Sequence, residues 1–130
     1  MATAEYRAVR VERVALAASD AAGGVFAWQN LHENPVIVQR VDVYVTAAAS
    51  AACTLDIGAT ATSAGTSVDN LIDGLDVNAA TGVFDNITDK GTNGKSRQLL
   101  ASGKWVTASK ATGATAGLSG YAFITYQVAA

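Results

Sequence analysis

The sequence predicts an all-β protein, an antiparallel sandwich or barrel, on two observations. Short segments rich in β-branched and aromatic residues recur, as in Leu55-Asp56-Ile57, Gly82-Val83-Phe84-Asp85, Lys104-Trp105-Val106-Thr107 and Tyr121-Ala122-Phe123-Ile124-Thr125-Tyr126. Turn-forming clusters such as Asp89-Lys90-Gly91-Thr92-Asn93-Gly94 separate them, and short strands spaced by such turns are the pattern of that class. The class hosts lectins, virion proteins and adhesins alike, so function must be argued from particular residues.

Taken in order, residues 1–5 read as a short flexible start. Over 6–16, Val9 and Val11 alternate with Arg10 and Glu12 as in a half-exposed strand. Val11, Val14, Ala15 and Ala18 also fit a helical stripe, but the valines and the strand-rich remainder favour a strand. Ser19-Asp20-Ala21-Ala22-Gly23-Gly24 is a turn by composition. Residues 25–31 form a strand with Phe26 and Trp28 on one face, closed by His32-Glu33-Asn34-Pro35. Residues 36–46 are the strongest strand, with Val41, Val43 and Val45 facing one way and Arg40, Asp42 and Tyr44 the other. The alanine-rich stretch 47–52 is an irregular link. Within 66–76, Val68, Leu71, Ile72 and Leu75 fall at i, i+3, i+4 and i+7. That spacing predicts a two-turn helix, capped by Thr66 or Ser67 and ended by Gly74. The resulting division is an N-terminal segment, 1–16, as an extended arm or first strand, and one domain over 17–130.

Composition narrows the function. Charged residues are 15% of the 130-residue chain, against about 25% in typical soluble domains. A surface poor in charge and rich in Ala, Ser, Thr and Gly suits a protein that lies against neighbours, so a homo-oligomer is expected. The net charge of −2 supplies no basic field for nucleic acid. Two basic groups occur, Arg7, Arg10 and Arg13 near the start and Lys90, Lys95 and Arg97 around one turn. Each reads as a solvated face or as a dock for acidic protein surface. The single cysteine, Cys53, excludes an intramolecular disulfide and alternates with Leu55 and Ile57, as a small buried hydrophobe would. Nothing resembles a signal peptide, and no apolar run reaches the ~18 residues of a membrane span. The expectation is synthesis in the cytoplasm and no membrane partner.

Chemical motifs fail one by one. Gly94-Lys95-Ser96 resembles the end of a phosphate-binding loop, but Asp89 stands where its first glycine is required and would repel phosphate. The turn reads instead as a hairpin, with Asn93-Gly94 supplying positive φ. His32 is the sole histidine, and no Gly-x-Ser-x-Gly elbow exposes a nucleophile. Asp69, Asp73 and Asp76 lack the ligand spacing of an EF-hand and read as capping and turn acceptors. Asn86-Ile87-Thr88 matches the glycosylation sequon. Trp28, Trp105, Tyr121 and Tyr126 could form a sugar platform, although aromatics at alternating strand positions are more often core or interface. No enzyme, cofactor or metal site is expected, and substituting His32, Cys53 or Ser119 by alanine should leave activity intact.

Several runs carry a resemblance. Leu55-Asp56-Ile57-Gly58, Asn70-Leu71-Ile72-Asp73-Gly74, Asp85-Asn86-Ile87-Thr88-Asp89 and Gly91-Thr92-Asn93-Gly94 look like the small virion proteins of tailed bacteriophages. Gly103-Lys104-Trp105-Val106-Thr107 and Ala116-Gly117-Leu118-Ser119-Gly120-Tyr121 extend it. Over residues 36–128 the chain most resembles jelly-roll decoration, or cement, proteins of the capsid. The resemblance implies a single jelly-roll-like antiparallel β-sandwich with at most one short helix. It implies a viral structural protein, often a homotrimer, that sits on the capsid surface, clamps major capsid subunits and stabilises the shell against internal DNA pressure. The alternative is a glycan- or host-binding jelly-roll module of a phage fibre or tail. The capsid or subunit contact is expected at Tyr6, Arg7, Arg10 and Arg13, which combine an aromatic anchor with guanidinium forks near a chain end.

Overall fold

The computed structural model describes residues 8–64 and 68–129, and these form nine strands in two antiparallel sheets. The strands are β1 (Val9–Ala15), β2 (Phe26–Gln29), β3 (Val36–Ala47), β4 (Cys53–Thr60), β5 (Ile72–Asp76), β6 (Gly82–Asp85), β7 (Gln98–Leu100), β8 (Trp105–Gly113) and β9 (Ser119–Val128). The first sheet runs β1-β9-β3-β6, with β7 on the same edge of β3 as β6; the second runs β2-β8-β4-β5. This is a jelly-roll-like sandwich, with β6 and β7 sharing one strand position along the twelve residues of β3.

Period-two alternation builds the core. In β3, Val36, Val38, Val41, Val43 and Val45 are buried, and Ala122, Ile124, Tyr126 and Val128 of β9 meet them on the same inner face. Leu55, Ile57, Phe26, Val106, Ala108, Ile72 and Leu75 face them from the second sheet. Burying each of the valine, leucine, isoleucine and phenylalanine side chains stabilises the fold by about 1.5–3 kcal/mol. The inward set steps from Val38 to Val41 because the β3–β9 register shifts there. Asn86, itself buried, answers the shift: its Oδ1 accepts the Val41 N–H at 2.8 Å and its Nδ2 donates to the Lys95 carbonyl.

The helix predicted over 66–76 is absent where the residues are described: Ile72–Asp76 is strand β5, while Thr66 and Ser67 lie outside the described residues. Its apparent helical spacing comes from a β-bulge. Ile57 pairs with Ile72 and Leu55 with Leu75, so Asp56 alone stands opposite Asp73 and Gly74. One inserted residue turns an i, i+2 inward pattern into i, i+3. Gly74 takes the insertion at φ 74°, and its N–H donates to Asp56 Oδ1 at 3.0 Å.

A second correction concerns Asn93-Gly94. β6 and β7 each pair with β3, so the turn between them does not close a hairpin, and the glycine with positive φ is Gly91 rather than Gly94. Gly94 serves close packing instead. A Cβ there would lie 2.1 Å from the Lys90 carbonyl oxygen and 2.5 Å from that of Leu71.

Candidate interaction face

The outer surfaces of the two sheets differ. Loops cover much of the second. The Gly23 N–H donates to Ser109 Oγ, and the Asn70 amide brackets both backbone groups of Ala59 at 2.7 and 3.0 Å. Residues 68–70 press on Gly58, where a Cβ would meet Val68 and Asn70 at 2.7 Å. Beneath this cover Asp56, Thr107 and Ser109 are buried.

Among the described residues, nothing covers the first sheet's outer face. Its cross-strand rows follow from the register: Ala15–Tyr121–Tyr44–Val83, then Arg13–Phe123–Asp42–Asp85, then Val11–Thr125–Arg40, then Val9–Gln127–Ile37–Leu99. Eight large hydrophobic side chains are exposed among the described residues. Val9, Val11, Tyr44, Val83, Leu99 and Tyr121 all lie on this face, while Leu31 and Ile87 lie in loops. Apolar patches of this kind mark interaction surfaces.

The charges within the face are largely neutralised by each other. Arg40 donates from Nε to Asp42 at 2.8 Å and from Nη2 to Asp85 at 3.0 Å. The hydrogen bond to Asp42 comes first in raising its guanidinium above the ordinary arginine value. Burial pushes the Asp85 carboxyl up, but the Thr88 and Ile87 N–H groups, Arg40 and the Thr88 hydroxyl together hold it below the usual range. The Arg13 guanidinium lies 4.8 Å over the Tyr121 ring, a cation–π contact.

Of the residues expected to make the docking contact, Tyr6 and Arg7 lie outside the described residues. Arg13 belongs to the bare face, opposite Phe123. Arg10 points the other way, pairing with the inward Tyr126. The structure therefore splits Arg10 from Arg13 by the strand's own alternation. What the sequence reading missed is the face itself: Tyr44, Val83 and Tyr121 lie far apart in sequence, and only the register of three strands aligns them.

A second feature is a cavity of about 290 Å³ beside β1 and β2, lined by Glu12, Ala27, Trp28, Gln29, Leu31, His32 and Tyr126. The Tyr126 hydroxyl lies 3.0 Å from His32 Nε2 and donates to Glu12 Oε1 at 3.4 Å, and its ring sits 5.0 Å from Trp28. Burial first, then the Glu12 carboxylate, raise the tyrosine above its ordinary value. The four aromatics of the expected sugar platform do not converge. Trp28 and Tyr126 meet here, Tyr121 is on the bare face and Trp105 pairs with Gln29 and Thr60 on the second sheet.

The other candidates resolve into structure. Asp69 and Asp73 accept from Asn93, and Asp76 accepts from the N–H groups of Asn78 and Ala79. Asn86 of the sequon is fully buried with its amide engaged at both ends. Cys53 is buried, and that burial pushes its thiol up. Among the described residues no helix is long and apolar enough to cross a membrane.

No protein-family model matches the chain, and no curated protein matches it. A chain in the solved capsid of Ralstonia phage GP4 does, with a TM-score of 0.60 and 22% identity over 95% of this chain and 86% of that one. At that identity the likeness is one of fold: the chain shares its jelly-roll-like architecture with a component of a phage capsid structure.

Proposed function

We propose that this chain is a structural virion protein of a bacteriophage, a decoration or cement protein without enzymatic activity. It binds the outside of the capsid as a homo-oligomer and stabilises contacts between major capsid subunits. The observation that carries the reading is the bare outer face of the five-stranded sheet, where six exposed apolar or aromatic side chains are interleaved with mutually paired charges. Such a face is desolvated at low cost and buries apolar area against a partner. The shared fold with a component of the phage GP4 capsid supports the setting, and the low charge of the chain agrees with a protein that works in contact with neighbours.

The test uses virions produced from the genome that encodes the chain. The protein is expected on the outer surface of gradient-purified particles at a fixed copy number. Particles lacking it should release their DNA at a lower temperature and regain resistance when the purified protein is added. Its absence from particles, or unchanged heat resistance without it, overturns the reading.

The cavity lined by Trp28, Tyr126, Glu12 and His32 favours a second reading, a glycan- or host-binding module of a fibre or tail. Indole and carboxylate side by side suit a sugar's apolar face and hydroxyls. Glycan-array binding that is lost in Trp28→Ala would select this reading over the first.

A further inference from the structure

The outer edge of β1 carries an inference that stands apart from the capsid reading. Among the described residues β1 pairs only with β9, so its other backbone edge ends the sheet. Natural edges are blunted by proline, bulges, covering elements or charged side chains, and of these, among the described residues, β1 has only the charges Arg10, Glu12 and Arg13. Val9–Ala15 contains no proline, its register with β9 runs unbroken, and Val9, Val11, Glu12, Arg13 and Ala15 are exposed. Its charges instead select which strand can join it.

Consider a second copy of β1 running antiparallel, with outward residues kept outward so that the two sheets merge. Centred on Arg10 or on Arg13, guanidinium faces guanidinium; centred on Glu12, carboxylate faces carboxylate. Like charges directly opposite destabilise a pair. Registers centred toward either end of the strand shorten the overlap and leave Glu12 facing no cation. Centred on Val11, the strand becomes self-complementary: Val11 faces Val11, each Arg10 faces Glu12 of the other copy, and each Val9 faces Arg13.

We propose that two copies of this chain pair edge to edge through β1 in the Val11-centred register, joining two five-stranded sheets into one. The contact is isologous and closes at two copies, so the assembly is a dimer, in place of the trimer the family resemblance implies. Glu12 also lines the cavity that holds Trp28 and Tyr126, so the incoming Arg10 meets a carboxylate beside aromatic rings, a setting suited to guanidinium. On the outer side, Val9 and Val11 of both copies form one apolar stripe continuous with the bare face.

The experiment uses the full chain carrying Cys53→Ser throughout, with thermal melts as folding controls. Sedimentation at tens of micromolar should give a dimer. Glu12→Arg turns both attractive pairs into repulsive ones and should weaken the dimer by about tenfold, while Arg10→Glu with Glu12→Arg should restore it. Independently, Val11→Cys should cross-link to near completion under mild oxidation. Arg13→Cys alone should not, and a mixture of Val9→Cys and Arg13→Cys chains should form the mixed disulfide. A wild type that is monomeric or trimeric, a double reversal as weak as Glu12→Arg alone, or cross-linking that does not distinguish position 11 from position 13 overturns the proposal.

Discussion

The two outer faces of this sandwich solve the same problem in opposite ways. The second sheet meets its own loops: Asn70 holds Ala59, and Ser109 holds Gly23. Among the described residues the first sheet meets no loop over Tyr44, Val83 and Tyr121, and it leaves apolar side chains exposed. Both surfaces come from strands with similar alternation, so strand chemistry alone does not separate them. The difference lies in where the long connections go. It teaches that the covered face contributes to the stability of the single chain, whereas the bare face leaves apolar area exposed, which is what the proposed docking would use.

The largest expected effect breaks the cover. In Gly58→Val the new side chain runs into Val68 and Asn70, and displacing that segment should cost about 3 kcal/mol, the upper range for overpacking. Denaturant melts measure it. A loss below about 1 kcal/mol would mean that the segment moves aside freely and that the two faces are alike.

Asp85 tests whether the charges on the bare face belong to the fold. Its carboxylate accepts from the Ile87 and Thr88 N–H groups at 2.7 and 2.8 Å and from Arg40 at 3.0 Å. Asp85→Ala should cost about 2 kcal/mol. Its carboxyl is held below the unfolded value, so its contribution is fully present above the unfolded value, near 4, and is lost as pH falls through the folded one. The variant should therefore differ most from wild type at neutral pH and converge with it in acid. A constant difference across pH would assign the effect to packing.

How much of this was legible in the sequence depends on whether the pattern was local. Val41, Val43 and Val45 announced their inward face because nothing interrupts the alternation between them. Ile72 and Leu75 misled for the opposite reason: a bulge at Asp73 and Gly74 imitates the helical step, and only the partner strand reveals it. The bare face has no local signal at all, since Tyr44, Val83 and Tyr121 read as ordinary exposed positions until three strands are aligned. Arg10 and Arg13 are close in sequence, and the strand's parity sends them to opposite faces, which a list of basic residues cannot express.

Asp56 gives the matching test on the covered face. Burial first, then repulsion from Asp69 and Asp73, raise its carboxyl above the ordinary value, with the Gly74 N–H acting against them. The sign is opposite to that of Asp85. The folded chain holds this proton to higher pH than the unfolded one, so stability falls as pH rises through that window. Asp56→Asn keeps an acceptor for Gly74 and removes the charge. It should melt higher than wild type at neutral pH, and the gain should vanish near pH 3, where the carboxyl is protonated in both states. A variant that is weaker at neutral pH would show that the negative charge is needed beneath the cover.

The smallest expected effect on stability falls on the bare face. Tyr44 and Val83 are cross-strand partners, and both are largely exposed. Replacing both by threonine keeps β-propensity and removes their mutual pairing, the pairing of Tyr44 with Tyr121 and exposed apolar area. Such a pair is worth about 0.2–1 kcal/mol, so the double variant Tyr44→Thr/Val83→Thr should melt close to wild type. If this face is held for a partner, the same variant should lose much of its binding to capsid particles in a co-sedimentation assay, while Thr54→Ser on the second sheet should not. A large loss of stability would mean that the face is already part of the chain's own core. Unchanged stability with unchanged particle binding would move the docking surface elsewhere on the molecule.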